Sequence, residues 1–407
     1  MNINFETVKV YDAVDGGCKI EKSKIKMTAK PVGYSITRTI AKIENISGGM
    51  IYEITIPYKS NETDGSKVQA VASWTKKDGN LYARGYFKKT SREVLSLLYH
   101  VPENVDTLEI EYRFTSHGGG DVIFDMPQID CKGEYKPRKA RLATAWVNTH
   151  IKDRTLEDNL NEILRIADNA GMSDEKPDLL VFSETIYGRN VHDKTMAEKA
   201  LKPDGPEIQK ICEKAAKYKM YIVVGLMIND NGMFKNVALL IDRNGEQLPV
   251  YVKTHLTMGE IEAGIVPGNE IPVYDLDFGR IGIIICWDHY FSEPARILHQ
   301  KGAEVIVIPS AGDTEHQSRT RAIESGAYVI MGGMHMPSSS FIMDPHGNTI
   351  ATINDLVQGY ISVEVDLNKR YSSIWMSVGP CLGEERDVFL NERRSDLYHD
   401  LSKEVIY

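Results

Sequence analysis

The stretch from Gly279 to Ala311, GRIGIIICWDHYFSEPARILHQKGAEVIVIPSA, constrains the fold of this chain more than any other. Ile281 to Ile285 is a short, unbroken apolar run, the pattern of a strand covered on both faces. Ser292 is placed to cap a following helix, with Glu293 and Pro294 in its first turn, where a carboxylate and a proline are best tolerated. Ala295, Ile297 and Leu298 supply that helix with an apolar face, and Gly302 is a stop signal. Glu304 to Pro309 then reads as the next buried strand. Cys286 falls where strand hands over to helix, outside the carboxyl end of the strand, the place where open α/β sheets carry ligands and reactive groups. A single cysteine in such a place is also a common apolar filler, so the rest of the chain has to decide.

Strands and helices continue to alternate on both sides of this unit. Arg141 to Val147 is a strand candidate, and Thr155 caps a helix whose Leu156, Leu160, Ile163, Leu164 and Ala167 recur at helical spacing. LLVFSE is a buried strand ending in Glu184, Gly205-Pro206 opens a second helix, and Tyr221 to Ile228 is the next strand. A hairpin through Asn244-Gly245 returns along LPVYVK to Lys253. Glu315 to Ala327 reads as a helix, and Tyr328 to Met331 and GYISVEVD as strands. This is an α/β layer architecture. Residues 1 to 137 differ: SITRTIAKIENI, MIYEITIPY, KVQAVASW, TLEIEYRF and DVIFDM alternate in period two between glycine-rich turns, which predicts an all-β antiparallel sandwich, and AVASWTKKDGNLYARGYFKK and GGGDVIFDM resemble jelly-roll modules. Only Ser91 to Leu98 reads as a short helix there. The expected domains are therefore 1–137, 138–380, and a polar tail, 381–407, packed on the domain or a partner subunit.

Composition excludes some roles. The 407 residues carry a net charge of −9 and no Lys/Arg-rich run, so nucleic acid is not an expected partner. No apolar stretch approaches the roughly 20 residues needed to cross a bilayer, and MNINFETVKVYD lacks the features of a signal peptide. The 5 cysteines are scattered without a C-x-x-C pair, which fits reduced thiols in a cytoplasm better than disulfides or zinc. No metal or cofactor motif is present.

Glu184, Lys253 and Cys286 each fall at or just past a strand end, so one rim of the sheet can gather them. A free thiol is mostly protonated at neutral pH, and the thiolate is the nucleophile. An adjacent carboxylate can take that proton and return it to a leaving amine, while an ammonium stabilises the thiolate and the oxyanion. Backbone N–H groups after the cysteine, that of Trp287 first, complete an oxyanion hole. The three side chains together form an acyl-transfer set that needs no metal.

The words around them resemble the nitrilase or carbon–nitrogen hydrolase superfamily over about 140–370. LLVFSE is similar to the strand with its catalytic glutamate, YVKTHL to the segment with its lysine, and IGIIICWD to its nucleophile elbow. SEPARILHQKGAEVIVIPSA, RTRAIESGAYVI and SSSFIMDPHGN follow in the family's order. The resemblance implies an α-β-β-α sandwich assembled into a homo-oligomer, a thioester intermediate, and a second glutamate that steadies the lysine. Glu262 is the favoured match for that glutamate, with Glu260 the competitor. Tyr187, His255, His289 and Tyr290 are the candidate lining of a substrate pocket. Trp287-Asp288 is similar to the amidase and carbamoyl-hydrolase branches, where true nitrilases more often carry a glutamate, and His289-Tyr290-Phe291 lacks the arginines that hold a substrate carboxylate.

The expectation is hydrolysis of a small linear amide or carbamoyl compound, with nitrile hydrolysis as the alternative. A reading of another class is an inactive carbohydrate-binding or scaffolding protein. Trp74, Tyr82 and Tyr86 would then form a sugar-stacking face, unless they fill the sandwich core. His117-Gly118-Gly119-Gly120 is similar to an esterase oxyanion loop, but no G-x-S-x-G accompanies it.

Overall fold

A computed structural model describes residues 3–6, 16–21, 23–31, 35–62, 67–116, 118–147, 154–312, 315–334, 339–354 and 359–403. His117 lies outside them. The chain divides into two compact units, one formed by Met1–Lys136 together with Ser372–Tyr407, the other by Pro137–Tyr371.

In the first unit two seven-stranded sheets close over one apolar core. Period-two alternation is the cause: in Ser35–Glu44 and Val105–Ser116 the buried positions are largely every second residue, and these strands pair antiparallel in continuous register. The helix expected over Ser91 to Leu98 is absent. Lys88–Ser91 and Val94–His100 are strands, because Leu95, Leu97 and Tyr99 bury one face at strand spacing. Trp74 is fully buried and stacked on Tyr99 at 4.7 Å, and Tyr86 is buried with its hydroxyl donating to Glu392 at 2.7 Å. Of the two readings of Trp74, Tyr82 and Tyr86, a sugar-stacking face or core filling, the second holds for Trp74 and Tyr86, whose rings are inside.

The C-terminal segment also departs from expectation. Ser372–Ile374 and Leu382–Glu384 pair with each other, and the latter pairs parallel to Leu81–Tyr86. The break falls at 371/372 rather than at 380/381. These strands are three residues long, too short for alternation to announce them. The tail's charged side chains include buried Glu384, Glu385 and Asp387, the last paired with Lys88 at 3.0 Å.

The second unit contains two six-stranded sheets. The first runs Tyr251–Val252, Met233–Ile241, Tyr221–Asp230, Leu179–Val181, Lys139–Trp146, Gly359–Asp366. The second runs Val273–Asp275, Arg280–Ile283, Val305–Pro309, Tyr328–Gly332, Ser340–Met343, Thr349–Ile353. Central strands of each are parallel and buried on both faces. A core including Leu142, Val181 and Val223 from one sheet and Ile283, Val307 and Ile330 from the other joins them face to face. Helices Leu156–Gly171 and Pro206–Tyr218 cover the first sheet through Ile163, Ala167, Ile208 and Ile211. Helix Ser292–Gln300 lies against the second: a Cβ added at Gly282 would sit 2.5 Å from Leu298. Thr155 caps its helix through a reciprocal pair with Asp158, as its sequence predicts. Ser292 instead occupies the first helical position, with Phe291 as the cap residue. Among the described residues no helix is long and apolar enough to cross a membrane.

Candidate active site

Three strand ends in the second unit place Glu184, Lys253 and Cys286. Glu184 follows Leu179–Val181, and its chain is held close to the neighbouring strand because residue 225 is glycine. A Cβ there would lie 2.5 Å from the Ser183 carbonyl oxygen and 2.6 Å from the Glu184 Cα. The chain then turns through Thr185 at φ 47°. Lys253 follows Tyr251–Val252, with its backbone N–H bonded to the Asn236 carbonyl at 2.9 Å. Cys286 opens the 3-10 turn Cys286–Tyr290 just beyond Arg280–Ile283, at φ 41°, a left-handed conformation uncommon outside glycine and costly unless its surroundings enforce it.

Lys253 is 1% exposed, and its Nζ donates to Glu184 Oε1 at 2.8 Å and to Glu260 Oε1 and Oε2 at 3.0 and 2.9 Å. The supporting glutamate is therefore Glu260, and the choice of Glu262 is corrected. Thr257 caps the helix Met258–Glu262, and Glu260, three residues on, folds back onto the Thr257 N–H at 2.8 Å, which turns its carboxylate toward the lysine. Glu262, two residues further round the helix, is exposed. The capping pattern T-x-x-E was the signal that could have decided this beforehand.

Asn236 is a member of the group that the sequence does not announce. Buried at 1% exposure on Met233–Ile241, it donates through Nδ2 to Glu184 Oε1 at 2.8 Å and Glu260 Oε1 at 2.7 Å. Asp288 is another. Fully buried, it accepts at Oδ1 from the Thr254 hydroxyl, the His255 backbone N–H and the His255 ring at 3.0, 2.7 and 3.0 Å. At Oδ2 it accepts from the Tyr251 hydroxyl at 2.8 Å and the Ile285 N–H at 2.9 Å. One carboxylate thus ties the lysine segment to the cysteine turn.

Of the expected pocket residues, His255 is engaged with Asp288 and stacks on Phe291 at 4.3 Å. Tyr290 is 38% exposed and lies beside Trp287, 37% exposed, at 4.8 Å between rings. His289 is fully buried under the turn, its Nδ1 bonded to the Cys286 carbonyl, and Arg321 holds its carbonyl at 3.0 Å. Tyr187 packs in the apolar layer between the first sheet and its helices. The Trp287 N–H stands at the start of the turn, where N–H groups have no partner inside it.

The charges act on one another strongly. Burial alone would lower the Lys253 pKa, but Glu184, Cys286 and Glu260 beside it raise it above that of an ordinary lysine. Burial pushes Glu260 up, and Lys253, the Thr257 N–H and Asn236 more than reverse this, leaving it low. The Cys286 thiol is raised by burial and by the Glu184 charge, against Lys253, the Ala311 N–H and Ser310, which lower it. Asp288 is low: hydrogen bonds from His255, Ile285 and Tyr251 overcome its burial. The resting site is thus a neutral thiol beside an ammonium clasped by two carboxylates, a set suited to proton transfer from sulfur and to stabilising negative charge on a substrate oxygen.

The family description "Carbon-nitrogen hydrolase" matches residues 143–373. The chain is similar to a "probable nitrilase" of Schizosaccharomyces pombe, 25% identical over 280 residues that cover 65% of this chain and 98% of the relative. It is also similar to a hydrolase from the pqqF 5' region of Pseudomonas protegens, 30% identical over 264 residues covering 60% of this chain and 86% of the relative. Among solved structures it resembles a variant of the amidase of Nesterenkonia sp. that carries the acetamide moiety of fluoroacetamide added covalently at its active-site cysteine. The TM-score is 0.53 and the identity 20%, over 64% of this chain and 96% of the other.

Proposed function

From the premise that the chain belongs to the carbon–nitrogen hydrolase family, we propose that it cleaves a non-peptide carbon–nitrogen bond of a small linear amide or carbamoyl compound through a cysteine thioester. The observation that carries this reading is the buried Lys253 ammonium, clasped by Glu184 and Glu260 within electrostatic reach of the Cys286 thiol.

Cys286 sulfur attacks the carbonyl carbon while Glu184 takes the thiol proton. Lys253 and the Trp287 N–H stabilise the oxygen that gains charge, a contribution of about 100- to 1,000-fold in rate per donor. Glu184 then protonates the departing nitrogen, which leaves as ammonia or an amine. Water, deprotonated by the same carboxylate, hydrolyses the thioester and restores the thiol. The raised thiol pKa supports a base that acts during attack rather than a preformed thiolate.

The test is ammonia release across a panel of amides and carbamoyl compounds, with mass spectrometry of the intact protein. Cys286→Ala should fold normally and lose turnover by about 10⁴-fold or more. Undiminished release by that variant, or an acyl group trapped elsewhere than on Cys286, refutes the mechanism. Nitrile hydrolysis is the second reading, supported by the description of the S. pombe relative. Matched amide and nitrile pairs separate the two, since the true substrate class has the larger kcat/KM. Asp288 after Trp287 supports the amide side.

A further inference from the structure

We infer that Asn236 is a positioning residue for the proton-transfer step. Its amide N–H groups bind Glu184 and Glu260 in their ionised forms and leave Glu184 Oε2 as the oxygen that receives the Cys286 proton. The inference rests on the hydrolase reading above and names a component that this reading does not require.

Three observations carry it. First, the contacts on Glu184 are one-sided. Lys253 Nζ and Asn236 Nδ2 both reach Oε1 at 2.8 Å, and Oε2 has no hydrogen bond among the described residues. A carboxylate held at one oxygen presents the other in a fixed direction, which is what a base needs before the thiol approaches. Second, one ammonium is shared by two carboxylates, and a neutral amide bridges the same pair, at 2.8 Å to Glu184 and 2.7 Å to Glu260. An N–H donor favours the charged form of a carboxylate without adding a charge of its own, so the amide supplements the single lysine that the two carboxylates share. Third, Asn236 Oδ1 is buried without a hydrogen-bond partner among the described residues. An asparagine serving only to knit strands together satisfies its carbonyl as well. This one leaves an acceptor unpaired in order to aim both N–H bonds at the carboxylates. The orientation follows from chemistry, since a flipped amide would point its oxygen at two anions.

Strand geometry makes the placement specific. Asn236 and Lys253 are joined through backbone, with the Lys253 N–H on the Asn236 carbonyl at 2.9 Å, so both side chains project to the same group of carboxylates. The neighbouring Val237 packs instead into the apolar layer between the sheet and its helices, the alternation a strand imposes.

The test compares wild type with Asn236→Leu, which has similar volume and no donor, and Asn236→Asp, which keeps the shape and adds an acid. The readout is the rate of Cys286 alkylation by iodoacetamide from pH 4 to 10, which needs no substrate. It is followed by kcat and kcat/KM profiles for an accepted amide. Without the donor, the carboxylate pair takes up a proton more readily, so the acid limb of both profiles should move up by about one pH unit, a tenfold change in the ionised fraction. With Asn236→Asp it should move further, because a third carboxylate joins the pair. Thermal unfolding confirms that each variant is folded. If folded Asn236→Leu and Asn236→Asp keep the acid limb within about 0.2 pH units of wild type, the positioning role is overturned, whatever happens to their stability. Should no amide, carbamoyl compound or nitrile be turned over while the alkylation limb still moves, the hydrolase reading fails and the role of Asn236 stands.

Discussion

Replacing Lys253 by methionine tests the charge arrangement directly. The side chain is 2% exposed, and its partners Glu184 and Glu260 are 5% and 15% exposed. Methionine fills most of the volume but removes the hydrogen bonds at 2.8, 2.9 and 3.0 Å and leaves two carboxylates facing one amide. Removing one member of a buried ion pair costs about 3–5 kcal/mol. At roughly 2–4 °C per kcal/mol for a domain of this size, the hydrolase unit should unfold about 10 °C lower at pH 7. The pH dependence makes the test sharper. In the wild type Glu260 is held low, so its contribution is complete above the ordinary glutamate pKa of about 4.3 and is lost only as pH falls through its lower folded value. In the variant the paired carboxylates have no cation, so one of them binds a proton more tightly in the folded than in the unfolded chain. That penalty is present at pH 7 and relieved as pH falls through the raised value. A tenfold difference in proton affinity is worth about 1.4 kcal/mol in full, of which roughly 0.5 kcal/mol is relieved by pH 5, so the gap between the two proteins should narrow by about 0.5 kcal/mol or more between pH 7 and pH 5. Differential scanning calorimetry at both pH values measures it. A gap below about 1 kcal/mol at pH 7, or one that does not change with pH, refutes a clasped ammonium.

Glu260→Gln should lower kcat/KM by about tenfold or more and cost about 1.5–3 kcal/mol, the worth of a hydrogen bond to a charged group. Glu262→Gln, on an exposed position, should change stability by less than about 0.5 kcal/mol and leave turnover intact; the reverse order restores the original assignment. Asp288→Asn cannot accept at both side-chain atoms and strands donors among Tyr251, Thr254, His255 and Ile285. A loss of about 1–3 kcal/mol with slowed Cys286 alkylation is expected, and a variant with wild-type alkylation would break the proposed link to the turn. Gly225→Ala drives a methyl to 2.5 Å from the Ser183 carbonyl, so the Glu184 segment must move; about 100-fold in kcat is at stake for a shift near 1 Å, against 1–3 kcal/mol of overpacking.

Most strands and helices of the second unit, and the strand-end positions of Glu184, Lys253 and Cys286, were legible in the pattern of the chain. Apolar runs bounded by turn residues place Leu179–Val181, Arg280–Ile283 and Val305–Pro309 as buried parallel strands, because strands covered on both faces have no polar alternation. Strand ends then locate Glu184, Lys253 and Cys286. Short local signals were legible as well, Thr155 with Asp158 being one. Other features were set by packing between segments distant in the chain. Leu95, Leu97 and Tyr99 bury one face of a strand where an eight-residue window also suited a helix. Trp74 is inside rather than on a binding face, because Tyr99 stacks on it from another strand. The choice of Glu260 over Glu262 depends on which carboxylate a helix turn aims at Lys253, a direction that spacing alone does not give and that only the capping pair Thr257 and Glu260 signals. Asn236 and Asp288 look like an ordinary strand residue and an ordinary turn residue in the sequence. Their importance arises only when the sheet brings a buried amide between two glutamates, and a buried carboxylate between the lysine strand and the cysteine turn. Hydrogen bonds are directional and act within about 3 Å, so residues 52 positions apart, such as Asn236 and Glu184, become partners only through tertiary structure.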